Sequence, residues 1–180
     1  MQERRINMSE CIKRFLEKYP PETNLVKPDD EIIEFAKKIL PQEIIELWEN
    51  YGFGDYGNGI IKVIDPRHYM HSLYTWLGKK DFTKIPIMMT AFGDIFYYRK
   101  LPDNLNDISL LNVHYGKLEV CSYSYQEFFE KYIINEIVRK EILREELFYQ
   151  AKKQVGELAE KEIYFFVPAI LFGIPESIKR

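Results

Sequence analysis

Residues 85–98, IPIMMTAFGDIFYY, decide the fold of this 180-residue chain. Two apolar runs of strand length, 85–92 and 95–98, are separated by Gly93 and Asp94, a pair that is typical of tight turns. The pattern predicts two antiparallel strands joined at this turn. We expect Gly93 to have a positive φ and Asp94 to accept hydrogen bonds from backbone N–H groups.

The strand pattern continues on both sides of this hairpin. Apolar runs at 108–113 and 118–123 flank a turn at 115–117 and predict a second hairpin. A further short strand is expected at 60–64. Together these segments predict a central, mainly antiparallel sheet.

Helical spacing of apolar residues predicts four helices before residue 80. The same spacing returns after the capping box at Ser124–Glu127 and continues to Val155, where one straight helix would be about 44 Å long. Because a domain of this size is only about 40 Å across, we expect a break near Asn135 and two helices there. The residues predicted to start the helices are Ser9, Asp29 or Asp30, Pro41, Asp65 with Pro66, and Ser124 with Glu127 as a capping box.

The apolar run 163–172 is expected to close the chain as a strand. The predicted fold class is therefore α+β, with N-terminal helices packed on the central sheet, followed by two C-terminal helices and the closing strand. The length favours a single compact domain over residues 1–180. Hydrophobic residues make up 46% and charged residues 29% of the chain, which excludes intrinsic disorder.

Four large aromatic residues carry expectations about burial. Trp48 and Trp76 lie on the apolar faces of predicted helices, so both are expected in the core. Tyr97 and Tyr98 are neighbours on a predicted strand, so one should face the core and the other the solvent. An outward tyrosine would suit a contact with a partner.

Charge, cysteine content and the apolar runs limit the function classes. The net charge is −3, whereas nucleic-acid binders are usually basic, so we expect no direct nucleic-acid partner. Cys11 and Cys121 form no disulfide framework or zinc motif, and two free thiols suit a reducing cytoplasm. The N-terminus lacks the apolar segment of a secretory signal, and the longest apolar run, 163–174, is too short to cross a bilayer. We therefore predict a cytoplasmic protein without a membrane partner.

Two patterns resemble sites of chemistry. Residues 52–57 match G-x-G-x-x-G, but the predicted order is helix before and strand after, the reverse of a dinucleotide site. The glycines are better explained as turn residues, so no cofactor is predicted. Asp65, His68 and His71 could share a helix face and hold a metal, but two histidines and one carboxylate without a further ligand are a weak signal, and no metal is predicted.

The charge distribution is uneven. Residues 22–55 contain nine acidic residues and three lysines, a local charge of −6, whereas the rest of the chain is basic. Such a segment is either a solvated face or a surface complementary to a basic partner. The candidate partner-binding residues are Glu31, Glu34, Glu46, Glu49 and Asp55.

The order of these segments resembles a known family. Residues 40–69, LPQEIIELWENYGFGDYGNGIIKVIDPRHY, are similar to the GAD-related domain. PIMMTAFGDIFYY at 86–98 and LFYQAKKQVGELAEKEIYFFVPAILFG at 147–173 resemble the C-terminal domain of type VI secretion immunity proteins of the Tdi type. On this resemblance, residues 1–80 form the GAD-related segment and residues 81–180 the immunity-protein segment. The positions that match the family signature are Trp48, Gly52, Gly54, Gly59, Pro66, Tyr69, Gly93 and Asp94.

The resemblance implies an immunity protein, made beside a secreted antibacterial toxin and protecting the producing cell by binding it. The implied partner is that cognate toxin, often a nuclease and then basic. The family supplies no catalytic set, so a stoichiometric inhibitor and not an enzyme is expected.

Two alternatives stay open on the sequence. One is a binding or regulatory module of the SUKH type, whose passage from a helix to a Tyr-Gly pair is similar. The other is a metal-dependent enzyme that uses Asp65, His68 and His71. The sequence does not fix the oligomeric state.

Overall fold

The computed structural model describes residues 9–159, 161–167 and 177–179. Its largest element is a six-stranded antiparallel sheet in which the strands follow one another in chain order. The strands are β1 (Gly54–Tyr56), β2 (Ile61–Val63), β3 (Lys84–Thr90), β4 (Ile95–Lys100), β5 (Asn106–Asn112) and β6 (Lys117–Ser122).

Helices precede, interrupt and follow the sheet. They are α1 (Glu10–Lys18), α2 (Asp30–Ala36), α3 (Gln42–Asn50), α4 (Pro66–Leu77), α5 (Tyr125–Glu127), which continues as a π-helical turn (Phe128–Tyr132), α6 (Glu136–Glu141) and α7 (Glu145–Val155). Two short strands, β7 (Phe165–Val167) and β8 (Ser177–Lys179), pair with each other in a separate sheet. This architecture confirms the predicted α+β class.

The predicted central hairpin is confirmed as β3 and β4. Gly93 has a φ of +86°, and the N–H of Thr90 donates to the carbonyl oxygen of Asp94 at 2.9 Å. The Asp94 carboxylate also accepts a backbone N–H, as expected, but the donor is Val113 just beyond β5, at 2.9 Å. The turn therefore joins three strands and not only two.

Both faces of the sheet are covered over most of β2 to β5, whereas most of β6 is exposed. One face carries the larger core, to which α1, α3 and the π-helical turn contribute and which includes Tyr98. The other face packs against α4 in a smaller core that includes Tyr97. Tyr97 and Tyr98 are 3% and 5% exposed, so the prediction of one solvent-facing tyrosine is wrong. The alternation is present, but a second layer covers the face that was expected to be open.

The two tryptophans have different environments. Trp48 on α3 is fully buried and packs edge-to-face on Phe53 with ring centroids 5.1 Å apart, as predicted for a core residue. Trp76 is 49% exposed, so its core prediction is wrong. The reason is that α4 buries Leu73 and Tyr74, whereas Trp76 lies near the end of the helix, beside the β5–β6 turn.

Most of the predicted helix starts are confirmed. The side chains of Asp29, Asp65 and Ser124 accept backbone N–H bonds at the starts of α2, α4 and α5. Ser9 precedes α1, but its hydroxyl pairs with the sulfur of Cys11 and makes no cap hydrogen bond. Pro41 is the N-cap of α3 and does not lie within its first turn.

The C-terminal helical region is divided twice. Asn135 caps α6 by accepting the N–H of Ile137 at 2.8 Å, which confirms the predicted break. A second break follows at Arg144, whose φ of +51° separates α6 from α7. Strand β7 falls within the predicted closing strand, whereas 168–172 lies outside the described residues.

Candidate functional site

Four of the predicted partner-binding residues lie on two consecutive helices. Glu31 and Glu34 are on α2, with side chains 87% and 68% exposed, and Glu46 and Glu49 are on α3. The hydrogen bond from Lys37 to Glu34 raises the pKa of Lys37, and the charge of Glu49 adds to that effect. Glu34 and Glu49 therefore act on one lysine from two helices. We call the four glutamates the acidic helix surface.

Asp55, the fifth candidate, lies elsewhere. It is on β1, where its carboxylate lies 2.8 Å from the ammonium nitrogen of Lys62 on β2. Lys62 is only 4% exposed. A buried ammonium without a partner is costly, so Asp55 stabilises Lys62 in the sheet. The structure thus gives Asp55 an intramolecular ionic partner.

Arg67 reduces the negative charge near the start of α2. Its guanidinium lies 2.9 Å from a carboxylate oxygen of Asp29, 3.8 Å from one of Glu31 and 2.6 Å from one of Asp65. Both Arg67 and Lys62 lie outside the 22–55 segment in sequence. The local charge counted along the sequence therefore overstates the negative charge that this part of the molecule presents.

A cleft of about 630 Å³ lies where residues 22–26 and 53–69 meet the α7 region. Asp55 and Lys62 line it and pair with each other, and Lys152 on α7 lies 3.2 Å from Glu157, which also lines it. Two further carboxylates, Glu22 and Asp65, also line the cleft, so its lining contains four acidic side chains and two lysines. The cleft therefore presents more negative than positive charge.

The suspected metal ligands are not brought together. The Asp65 carboxylate accepts two hydrogen bonds from Nε of Arg67, each 3.1 Å long, and one from Nη2. His68 lines the cleft, whereas His71 lines a different cavity beside Tyr74. Within the described ranges, no three His, Cys, Asp or Glu side chains are grouped closely enough to hold a metal.

The thiols are poor nucleophiles in this fold. Burial raises the pKa of Cys121 to about 12, with the nearby carboxylates of Glu119 and Asp107 acting in the same direction. Burial also raises the pKa of Cys11. Since the thiolate is the reactive form, both residues suit packing better than covalent catalysis.

Asp94 is the centre of a buried ionic junction. Its side chain is fully buried, and its second carboxylate oxygen lies 2.6 Å from Nη1 of Arg144. The Arg144 guanidinium lies 5.5 Å from the ring centroid of Phe92 and 5.8 Å from that of Phe166, a geometry for cation–π attraction. We call this pair the Asp94–Arg144 junction. It joins the β3–β4 turn to the segment between α6 and α7, 50 residues away.

His114 extends the junction. Its Nε2 lies 2.7 Å from the carbonyl oxygen of Phe92, and its ring packs edge-to-face on Phe166 at 4.9 Å. Burial lowers the pKa of His114, and the charge of Asp94 opposes this only in part. The imidazole is therefore neutral near pH 7 and donates its Nε2–H to the carbonyl. No local sequence pattern pointed to His114 or Arg144 as partners of Asp94.

The signature residues fit structural roles. α3 ends before the glycines of 52–57, β1 lies within this segment and β2 follows it, which confirms the predicted order of helix before and strand after. Gly52 has a φ of +108°, and a Cβ there would lie 2.7 Å from the carbonyl oxygen of Val26. At Gly93 a Cβ would lie 2.7 Å from Cδ1 of Ile163. Among the other positions, Gly54 and Gly59 have positive φ, Pro66 opens α4 and Tyr69 lines the cleft.

Comparison with known proteins identifies the two parts of the chain. The sequence model of the GAD-like domain matches residues 10–111, and that of the T6SS immunity protein Tdi1, C-terminal, matches residues 122–180. The crystal structure of Atu4351 from Agrobacterium tumefaciens is similar, with a TM-score of 0.67 at 15% identity over 92% of this chain and 80% of that chain. At that identity the similarity shows a shared fold. No curated protein matches the sequence significantly.

The gap between the two matches falls inside the sheet. Strands β1 to β5 lie almost entirely in the first match, and most of β6 lies in residues 112–121, which neither match covers. Asp94 belongs to the first match and Arg144 to the second.

No helix among the described residues is long and apolar enough to span a membrane.

Proposed function

Because this chain belongs to the GAD-like domain family, with a C-terminal part that matches a type VI secretion immunity protein, we propose that it binds and neutralises a cognate secreted toxin. The match of residues 122–180 to Tdi1 supports the immunity role and is the observation that carries the proposal. Neutralisation is proposed to take place in the cytoplasm, in a fixed ratio of protein to toxin, without catalysis or a cofactor.

Several features support an inhibitor over an enzyme. Asp65 is engaged by Arg67, and His68 and His71 line different cavities, so they form no common site. The thiol of Cys121 is held in its protonated form. A binding protein needs none of these groups to react, and it needs only a surface that fits its target.

We propose a nuclease as the toxin and the acidic helix surface as part of the contact. A nuclease must present basic groups to hold phosphates, and an inhibitor with carboxylates competes for those same groups. Glu31, Glu34 and Glu49 are exposed, whereas Asp55 is paired with a buried lysine. Among the five candidate residues, the glutamates are therefore the stronger ones for the contact.

Charge complementarity of this kind mainly raises the rate at which two proteins associate. Opposite charges steer two proteins together over roughly one Debye length, about 8–10 Å at moderate salt. Added salt screens this attraction, so association slows while dissociation changes less. The proposed contact therefore predicts a salt-dependent association rate.

The test uses the toxin encoded beside this gene. Cells that produce the toxin are expected to survive when the wild-type protein is co-expressed. Reversing Glu31, Glu34, Glu46 and Glu49 to Lys is expected to slow association and weaken protection, with the thermal unfolding temperature unchanged. Binding kinetics at low and high salt measure the steering component.

A matched control variant separates an effect of the acidic helix surface from an effect of the changed net charge. Glu17, Glu136, Glu141 and Glu146 are exposed glutamates on α1, α6 and α7, and reversing them changes the net charge equally. This control is expected to keep most of the association rate. If both quadruple variants bind equally fast, the acidic helix surface is not the contact. If the wild-type protein neither binds nor protects, the immunity proposal itself fails.

A further inference from the structure

Among the described residues, another segment of the chain covers one edge of the six-stranded sheet and leaves the other edge open. At the β1 edge, residues 20–26 run alongside the strand. The N–H of Val26 donates to the carbonyl oxygen of Phe53, the N–H of Phe53 donates back, and each bond is 2.8 Å long. At the other edge, β6 pairs only with β5 within the part of the chain that the structure describes. An open edge strand is a template for pairing with another strand.

Exposed apolar residues concentrate at the β6 edge. Leu118 is 50% and Val120 is 42% exposed, and Trp76 and Tyr115 beside them are 49% and 46% exposed. Leu118 pairs with Leu111, which belongs to the core on the α4 face, so Leu118 and Val120 lie on the same face as Trp76. A clustered apolar patch of this kind indicates an interaction surface.

We propose that this protein forms a homodimer through antiparallel pairing of β6 with β6 of a second copy, centred on Leu118. In that register Leu118 lies opposite Leu118 of the second copy. Lys117 of each copy lies opposite Glu119 of the other, which gives two pairs of opposite charge. The proposal concerns self-association and does not depend on the proposed immunity function.

The charges of β6 select this register over its neighbour. A pairing centred one residue later would place Glu119 opposite Glu119 of the second copy, and like charges directly opposite are unfavourable. The strand irregularity between Val120 and Ser122 ends the straight part of β6, so the free edge is the short segment around Leu118. The register centred on Leu118 pairs Lys117, Leu118 and Glu119 with the same three residues of the second copy.

The α4 face adds apolar contact in the same arrangement. Val120 of one copy would lie beside Gly116 of the other, the turn residue with a φ of +60° that precedes β6. A Cβ built on Gly116 would lie 3.8 Å from Cζ3 of Trp76, so Val120 of the second copy would approach this ring. The half-exposed Trp76 would thus be covered across the dimer axis. Its exposure on α4, unexpected from the sequence, then has an explanation.

Sedimentation velocity of the purified protein over a range of concentrations tests the proposal without any toxin. The wild-type protein is expected to show a monomer–dimer equilibrium. Glu119→Lys alone and Lys117→Glu alone each place two like-charged pairs across the axis, so each is expected to raise the dimer dissociation constant at least about tenfold. The double variant, in which both charges are exchanged, is expected to restore dimerisation.

The controls are Glu17→Lys and Lys13→Glu, which make the same charge changes on exposed positions of α1 and should leave the dimer unchanged. A wild-type protein that stays monomeric at all concentrations would overturn the proposal. So would a dimer that none of the β6 variants weakens, or one that the double exchange fails to restore. A monomeric wild-type protein whose Glu119→Lys variant no longer binds the toxin would overturn the proposal and show that this edge serves the toxin instead.

Discussion

The Asp94–Arg144 junction and the acidic helix surface both consist of charged side chains, but they differ in every other respect. Asp94 is fully buried and the Arg144 side chain is 10% exposed, whereas Glu31 and Glu34 are 87% and 68% exposed. The junction joins the GAD-like match to the Tdi1-type match. The surface lies on two helices of the first match alone.

This difference in exposure distinguishes charges that stabilise the fold from charges that are available to a partner. A buried carboxylate depends on its cation, because removing one partner leaves the other desolvated and unpaired. An exposed glutamate is hydrated with or without a neighbouring lysine. We therefore propose that residues 1–180 act as one domain, connected across its two parts by the junction, and that recognition is left to exposed groups.

The largest effect is expected at the junction. Asp94→Ala leaves the Arg144 guanidinium buried without its carboxylate and also removes the acceptor of the Val113 N–H. We expect a loss of about 3–5 kcal/mol in the free energy of unfolding. Urea denaturation measures this loss. Glu34→Ala, which breaks the exposed pair with Lys37, is the matched control and should leave the urea midpoint unchanged. Equal effects of the two variants would refute the division between buried and exposed charge.

Alanine substitutions are expected to have a smaller effect at the turn that carries Asp94 and at a comparison glycine, whereas valine at the turn is a more severe change. Gly93 has a φ of +86° and a crowded Cβ position, whereas Gly78 has a φ of +70° with nothing within 4 Å of its Cβ position. Gly78→Ala is expected to cost about 1–2 kcal/mol for the left-handed backbone alone. Gly93→Ala should cost more, because Ile163 must also move, and Gly93→Val should misfold the hairpin. A soluble Gly93→Val protein of normal stability would contradict this account of the turn.

The smallest effect is expected in the pH dependence. The pKa of His114 is lowered in the folded protein, so between that value and about 6.5 the unfolded chain binds more protons than the folded one. The free energy of unfolding therefore falls as the pH falls through this window, by at most about 1.4 kcal/mol per pH unit. His114→Gln should remove this contribution, whereas His71→Gln, at an exposed position, should retain it. An unchanged pH profile for His114→Gln would show that His114 is not held neutral.

Much of the fold could be predicted because its signals are local. The β3–β4 turn follows from a Gly-Asp pair between apolar runs, and the starts of α2 and α4 follow from Asp29 and Asp65. Asn135 marked the break before α6 because a longer straight helix would not fit the domain. Each of these inferences needed only a few neighbouring residues.

The wrong or missing predictions concern which face of the sheet is covered and which residues pair across long stretches of sequence. Alternation along β4 separates Tyr97 from Tyr98, but it does not reveal that α4 covers the second face. Helical spacing placed Trp76 on the apolar face of α4, but it does not reveal that Trp76, near the end of the helix, stays half exposed beside the β5–β6 turn. Arg144 carries no local signal, because its role depends on a carboxylate 50 residues earlier and on a left-handed backbone that is uncommon for arginine. Tertiary contacts decide these features, and local periodicity does not contain them.

The same limit applies to the candidate contact residues. A count of charges along 22–55 grouped Asp55 with the glutamates, although Asp55 pairs with Lys62. It also omitted Arg67, which lies beside Asp29 and Glu31. Which charges are compensated depends on the pairing of strands and helices. The exposed glutamates of α2 and α3 therefore became distinguishable from Asp55 only in the folded structure.

We propose that this protein neutralises its toxin by binding it in a fixed ratio. The ratio is measured by titrating a constant amount of the neighbouring toxin with this protein and following the residual toxin activity. We expect a linear loss of activity that ends at a fixed molar ratio and does not change with incubation time. Complete inactivation by far less than an equimolar amount of protein, progressing with time, would show catalysis and refute binding in a fixed ratio. Undiminished toxin activity at excess protein would refute neutralisation by this protein.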